Sequence, residues 1–167
     1  MTMPDGPRYE DDFYAWTQYQ AEVLRSMPVP DNRFDRDHVV EEIEDLGKSE
    51  RDAVRSQIRR IIEYFLKLSY SPAGQPRVGW METIDEVRET LSDKLTGTLR
   101  RDAEASLDGL YAEGRRRAVR GLTLHGEPDT AERLPSVSPW SLDEICREDW
   151  DPASLNVGNP EGSTPPR

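Results

Sequence analysis

The sequence predicts an all-α fold, a helical bundle of four to five helices that ends in a short capped helix. Apolar residues recur every three to four positions along most of the chain and nowhere alternate at two, which is the spacing of a helix face rather than of a strand. Stretches with proline and glycine separate these repeats, as helix ends require. Ser141 and Glu144 also have the spacing of a capping box just before the apolar Ile145.

The composition predicts one domain between two tails. A length of 167 residues suits a single core. Residues 1–8 and 153–167 are rich in proline, glycine and polar residues and cannot bury enough apolar surface to offset the entropy of ordering. We therefore expect mobile tails at these two ends and a single helical domain at 9–152.

The charge of the chain argues against several classes of partner. Asp and Glu number 33 against 22 Lys and Arg, a formal net charge of -11, which repels polyphosphates and anionic membrane surfaces. The basic run 115–120 is a local exception. Consecutive helical residues point about 100° apart, so we interpret this run as a solvated helix end. Neither nucleic acid nor membrane is an expected partner, and a nucleic-acid-processing role would depend on this run alone.

The expected compartment is a bacterial type of cytoplasm. Residues 1–8 have no basic segment followed by an apolar one, as a secretory signal would. No apolar run approaches the roughly 18 to 20 residues that span a bilayer. The single Cys146 excludes an internal disulfide.

The bounds of the first two helices are predicted from N-cap residues and from residues that end helices. Helix one is expected at about 11–27 and ends at Pro28, because proline lacks the N–H donor. Helix two begins after Asp35, a good N-cap, and ends before Ser71. Gly47 allows either one kinked or briefly interrupted helix, which we favour, or two abutting helices. Eight apolar residues share one face of helix two: Val39, Ile43, Leu46, Val54, Ile58, Ile61, Phe65 and Leu68.

The remaining helices are shorter. Helix three is expected at about 80–91 and helix four at 99–118, with a break at 96–98 between them. Residues 121–138 contain glycine, proline and turn-type residues and are expected as a loop. The last helix, about 142–150, should pack three apolar residues against the bundle: Trp140, Ile145 and Trp150.

Helix two also carries a row of polar residues on its apolar face. At 100° per residue, Glu50 falls within about 20° of Ile43, and Gln57 and Tyr64 follow at intervals of seven. Gln20 interrupts the apolar face of helix one and is the expected neighbour. These four residues form a candidate polar seam. The charged residues on the opposite side of helix two are expected in solvent: His38, Glu41, Asp45, Lys48, Asp52, Arg59 and Glu63.

The seam has three interpretations. An unpaired buried carboxylate would cost several kcal/mol, so we expect Glu50 to be largely buried and hydrogen-bonded, beside Gln57 or a group from helix one. A polar layer that fixes the register of the helices is favoured over a ligand-binding or catalytic pocket and over a metal site. A di-iron bundle would need Glu-x-x-His pairs, and His38 and His125 do not supply them. No metal or cofactor is expected. Cys146 follows two acidic residues that should raise its pKa, which indicates a packing role.

Two segments resemble a known family. Tyr9, Asp12, Phe13 and Trp16 match a Tyr-x-x-Asp-Phe-x-x-Trp pattern, and residues 39–50 resemble the block Leu-Ile-Glu-Glu-Ile-Glu-Asp-Met-Gly-Arg-Ser-Glu. Both are typical of domain of unknown function 29, a bacterial all-helical family, over about 9–152. The resemblance implies a helical fold and no particular activity. Family members commonly have histidine where this chain has Tyr64, so it also implies either a hydrogen-bonded pocket or a site that has lost its ligand.

Two functional hypotheses remain. The first is a non-catalytic interaction or accessory domain that binds a protein partner or a small ligand, through a groove near Glu50 or an apolar surface. The alternative is a small-molecule-binding enzyme with Glu50 as a buried general base and Gln57 and Tyr64 orienting the substrate. The sequence leaves the oligomeric state open.

Overall fold

The computed structural model describes residues 6–29 and 31–149, and these residues contain helices and no strand. The predicted all-α bundle is confirmed. The helices exceed the predicted four to five because helix four is divided and a short helix follows it. They are α1 (Phe13–Ser26), α2 (Arg36–Tyr70), α3 (Arg77–Lys94), α4 (Gly97–Ala105), α5 (Leu107–Leu124), α6 (Pro128–Glu132) and α7 (Leu142–Cys146). Apart from residues 6–8, the predicted tails lie outside the described residues, as does Trp150.

Helix α2 is the element against which the others pack. It has 35 residues and is about 52 Å long at the helical rise. Its N-terminal half packs mainly against α1, whereas α3, α5 and α7 pack against α2 from other sides. Residues 65–69 are consecutive and all buried. Because consecutive residues point in all directions around a helix, this end of α2 is enclosed on every side.

Gly47 lies inside α2 and does not end it. The helix is continuous from Arg36 to Tyr70, so the interruption expected at Gly47 does not occur. A Cβ atom at this position would lie 2.2 Å from the Oγ1 atom of buried Thr17 on α1. The glycine is therefore needed for the close approach of α1 and α2.

A single carboxylate joins the start of α1 to the start of α4. Asp12 Oδ1 accepts from the backbone N–H of Ala15 at 3.0 Å, and Oδ2 accepts from that of Thr98 at 3.1 Å. Burial opposes ionisation of Asp12, but these hydrogen bonds outweigh it and lower its pKa. The aspartate of the Tyr-x-x-Asp-Phe-x-x-Trp pattern thus caps two helices.

The predicted helix four is divided at Ser106. Ser106 leaves the helical conformation, with a φ of -102° and a ψ of 3°, which ends α4, and α5 starts at the next residue. Arg55 of α2 donates to both carboxylate oxygens of Asp102, at 2.9 and 2.7 Å, and to Ser106 Oγ at 3.2 Å. A side chain from another helix therefore holds this break, and local sequence signals could not reveal it.

Other helix ends also differ from the predictions. Helix α5 continues to Leu124 and α6 follows, so the expected loop at 121–138 is partly helical. Helix α7 ends at Cys146 rather than near residue 150, because its C-cap residue Arg147 has an extended backbone.

Two residues of the predicted apolar face of α2 are exposed to solvent. Leu46 is 56% exposed and Val39 36% exposed, while Val40 is buried instead. Helix α3 runs along this flank of α2 and ends at Lys94, whose ammonium group pairs with Glu50. Beyond that point the flank has no covering helix among the described residues.

The C-terminal segment is held by a capping box and a buried arginine. The Ser141 hydroxyl accepts from Glu144 N–H at 3.3 Å, and the Glu144 carboxylate accepts from Ser141 N–H at 2.8 Å, as predicted. Trp140 is buried and lies edge-on to Phe65, with 5.2 Å between ring centroids. Buried Arg88 donates to the carbonyls of Ile145 and Glu144 at 3.0 and 3.1 Å, and burial lowers its pKa.

No helix among the described residues is both long enough and apolar enough to cross a membrane. The expected cytoplasmic location stays a prediction.

We expect Gly114→Ala to destabilise the fold. A Cβ atom there would lie 2.8 Å from Ile62 Cγ2 and 2.9 Å from the backbone oxygen of Arg59, and a backbone atom cannot rotate away. The cost of overpacking should be about 1 to 3 kcal/mol, measured by urea unfolding. Gly109→Ala on the same helix meets nothing within 4 Å and should be neutral or stabilise by about 0.5 to 1 kcal/mol. Equal effects of the two variants would contradict close packing at Gly114.

Ser141→Ala should destabilise α7 by about 1 kcal/mol, because it removes the acceptor for the Glu144 amide. Amide hydrogen exchange at residues 143–146 should become faster, while the helices packed around Phe65 keep their protection. Ser136→Ala, at an exposed loop position, is the control. Unchanged exchange in α7 would show that the capping box does not hold this helix.

Candidate functional site

The structure places Glu50 at a partly exposed position rather than deep in the core. Its side chain is 26% exposed, and Oε2 accepts from Lys94 Nζ of α3 at 3.3 Å. The expected hydrogen-bond partner was Gln57 or a group from α1, and the observed one comes from α3. Glu50 therefore joins α2 to the end of α3.

The other seam residues lie in separate surroundings. Gln57 has a buried Oε1 without a hydrogen-bond partner among the described residues. Tyr64 packs against the core, with Lys67 Nζ 5.0 Å above its ring centroid. Gln20 is half-buried on α1. Positions seven residues apart are about 10.5 Å apart along a helix. Glu50 and Tyr64 are two such intervals apart, about 21 Å, and are too distant to act on one small ligand.

The face of α2 expected in solvent is partly covered by α5. Arg59 forms a salt bridge with Glu113 of α5, and Glu63 pairs with Lys67 at 2.6 Å, so the prediction that Arg59 and Glu63 point freely to water is wrong.

The interpretation of the basic run 115–120 as a solvated helix end is also incomplete. Arg115 donates to the backbone oxygens of Leu134 and Pro135 at 3.0 and 2.9 Å.

The uncovered flank of α2 is the first candidate site. We call Val39, Ile43 and Leu46 the α2 stripe. They lie within a segment, residues 31–46, that contains seven Asp and Glu against two Arg, a formal net charge of -5. Beside the connection between α1 and α2, a groove of about 210 Å³ is lined mainly by apolar residues: Leu24, Met27, Pro28, Val29, Asp31 and Phe34. This end of the molecule thus combines exposed apolar surface with negative charge.

The second candidate site is a small cavity at the other end of α2. It has a volume of about 190 Å³ and lies between the last turns of α2 and α5 and the start of α3. Its lining includes Lys67, Trp80 and Glu127 and none of the four seam residues. We call it the Lys67 cavity. Sequence reasoning missed it, although a lysine within the apolar run Phe65-Leu66-Lys67-Leu68 was a usable signal.

The histidines and the single cysteine can be placed within the described residues. Among them, no three His, Cys, Asp or Glu side chains are grouped to hold a metal ion. His38 and His125 are both exposed. Burial raises the pKa of the Cys146 thiol to about 11, so the expected direction is correct. Burial rather than the neighbouring carboxylates is the main cause.

These features define a helical domain with an exposed apolar stripe at one end of its longest helix and a polar cavity at the other. Residues 8–151 match the family described as Domain of unknown function DUF29, so the chain belongs to that family and the predicted resemblance is confirmed. No curated protein matches the sequence. The fold is similar to the crystal structure of an alpha-helical protein of unknown function from Rhodospirillum rubrum, with 24% identity, a TM-score of 0.79, and coverage of 93% of this chain and 100% of that one.

Cys146 should react slowly with iodoacetamide near neutral pH. With a pKa of about 11 rather than 9.0, its thiolate fraction at pH 8 is about 100-fold lower. Because the pKa is raised, the rate should keep increasing about tenfold per pH unit beyond pH 9. Mass spectrometry of the single cysteine measures this rate, with free cysteine as the control. A plateau below pH 9 would contradict the raised pKa.

Proposed function

We propose that the protein is a non-catalytic interaction module that binds a basic amphipathic helix of another protein on the α2 stripe. The uncovered apolar flank beyond the end of α3 is the observation that carries this proposal. In the core, α3 covers the same flank of α2. A bound helix would continue the line of α3 past Lys94 and cover the stripe in the same way.

The charge of this region selects the occupant. A formal net charge of -5 over residues 31–46 would repel a second copy of the same surface and attract lysine and arginine. Several carboxylates near the stripe already have cationic partners, such as Glu44 with Arg25 and Asp35 with His38 at 2.6 Å. Glu41 and Glu42 are exposed and form no salt bridge within the part of the chain that the structure describes, so they remain available for basic side chains.

The length of the N-terminal segment of α2 that contains the stripe, measured from its N-cap, sets the length of the occupant. From Asp35 to Leu46 the axis of α2 extends about 16 Å, which corresponds to a helix of about 11 residues. Leu46 and Val39 are the most useful apolar contacts, because they are exposed in the free protein. Full burial of such a side chain stabilises a complex by about 1.5 to 3 kcal/mol.

The enzyme alternative has less support. A general base with a pKa raised by burial needs an enclosed carboxylate, but Glu50 is 26% exposed and paired with Lys94. Glu50, Gln57 and Tyr64 extend over about 21 Å of helix, which is too far for all three to contact one small substrate. We therefore place the function at the stripe rather than at the seam.

A synthetic helical peptide tests the proposal directly. A leucine–lysine amphipathic peptide of about 14 residues should bind in fluorescence polarisation, and its leucine–glutamate counterpart should not. Because Leu46 is 56% exposed in the free protein, burial of this exposed part of its side chain contributes about 0.8 to 1.7 kcal/mol, and Leu46→Gln should weaken binding about 4- to 17-fold. Raising the salt concentration should weaken it further.

Val137→Gln is the matched control, because Val137 is also an exposed apolar residue but lies on a distant loop. It should leave peptide binding unchanged. Equal binding of the two peptides, or no effect of Leu46→Gln, would refute a docking site at the stripe. Sedimentation of the protein alone tests the other occupant, since a dimer that Leu46→Gln dissociates would identify a second copy instead.

A further inference from the structure

The Lys67 cavity combines a buried cation with an apolar wall. Lys67 is only 8% exposed, and its ammonium group donates to Glu63 Oε1 at 2.6 Å. The ammonium group also lies 5.0 Å from the centroid of the Tyr64 ring. An ammonium group has three N–H donors, and the bond to Glu63 is the only hydrogen bond that it makes among the described residues. Donors therefore remain at a position that lines the cavity.

Gly121 makes room for this ammonium group. A Cβ atom at position 121 would lie 2.9 Å from Lys67 Nζ and 3.0 Å from Cε. Any side chain there would displace the end of the lysine side chain. Because Gly121 itself lines the cavity, its lack of a side chain also leaves space at the cavity wall.

Glu127 supplies a second charged group of opposite sign. Its Oε1 accepts from the Ser71 hydroxyl at 2.9 Å, whereas Oε2 is shielded from solvent without a hydrogen-bond partner in the described chain. A buried carboxylate oxygen without a donor is costly. Lys67 pairs with Glu63 and not with Glu127, so the cavity keeps two separate charged groups.

Apolar side chains form the rest of the wall. Trp80 and Leu122 both contribute to the lining, and Leu122 is buried. The volume of about 190 Å³ equals roughly six water molecules in the liquid. The cavity therefore suits a small molecule with one apolar part and two charged ends.

We propose that the Lys67 cavity binds a small apolar α-amino acid in its zwitterionic form. The ligand carboxylate would accept from Lys67, and its ammonium group would pair with the carboxylate of Glu127, a residue that lines the cavity. The aliphatic side chain would pack on Trp80 and Leu122. This site is independent of the α2 stripe, because it lies at the opposite end of α2.

Three matched probes test both charged ends. Isothermal titration with L-leucine should give measurable binding. Isopentylamine lacks the carboxylate and 4-methylpentanoate lacks the amine, so each should bind at least about tenfold more weakly, about 1.4 kcal/mol. If no probe binds at about 10 mM, or if either single-ended probe binds as tightly as leucine, the proposal is wrong.

Variants assign each end of the ligand. Glu127→Gln should weaken leucine at least about tenfold and leave 4-methylpentanoate unchanged, since the amide keeps an acceptor for Ser71. Lys67→Met should weaken leucine and spare isopentylamine. The thermal melt of each variant shows whether it folds. If Lys67→Met does not fold, the leucine affinity of Glu127→Gln decides the outcome.

A glycine pair separates the cavity from general effects on α5. Gly121→Ala should weaken leucine binding at least about tenfold, because the added methyl group takes space at the cavity wall and displaces the Lys67 ammonium group from its place. Gly109→Ala, on the same helix with open space around it, should leave binding unchanged. Full leucine binding by Gly121→Ala would overturn the placement of the ligand beside Lys67.

Discussion

Burial of the last turns of α2 on every side is the constraint that organises this fold. Residues 65–69 are consecutive and all buried, and consecutive residues point in all directions around a helix, so this end of α2 must be enclosed. Helices α3, α5 and α7 provide that enclosure. The N-terminal half of α2 is amphipathic and is packed mainly by α1, so the two halves of one helix have different surroundings.

This enclosure also buries polar groups, and their partners determine which helix covers which side. Arg55 binds Asp102 of α4, and Arg88 of α3 binds carbonyl groups at the end of α7. A buried charge without a partner would be strongly destabilising. These contacts therefore disfavour exchange of the covering helices, which apolar packing alone would tolerate.

The sequence predicted features that depend on neighbours along the chain and missed those that depend on distant contacts. The Asp35 cap and the box at Ser141 and Glu144 are local, and both are present. The break at Ser106 depends on Arg55, fifty-one positions away. Periodicity likewise identified Val39 and Leu46 as apolar but could not show that α3 ends before it reaches them. The prediction that the four seam residues share one site was wrong for a related reason. Residues in line along one helix face can each contact a different neighbouring helix.

The two ends of α2 should respond differently to binding. At the α2 stripe, a partner would supply a covering helix that the fold lacks, so the stability of the N-terminal half would increase with partner concentration. The Lys67 cavity is already enclosed by α2, α3 and α5, so a ligand there would meet groups that are held in place and would lose little free energy to reorganisation. Because the stripe and the cavity share one continuous helix but few other contacts, each can bind without remodelling the other.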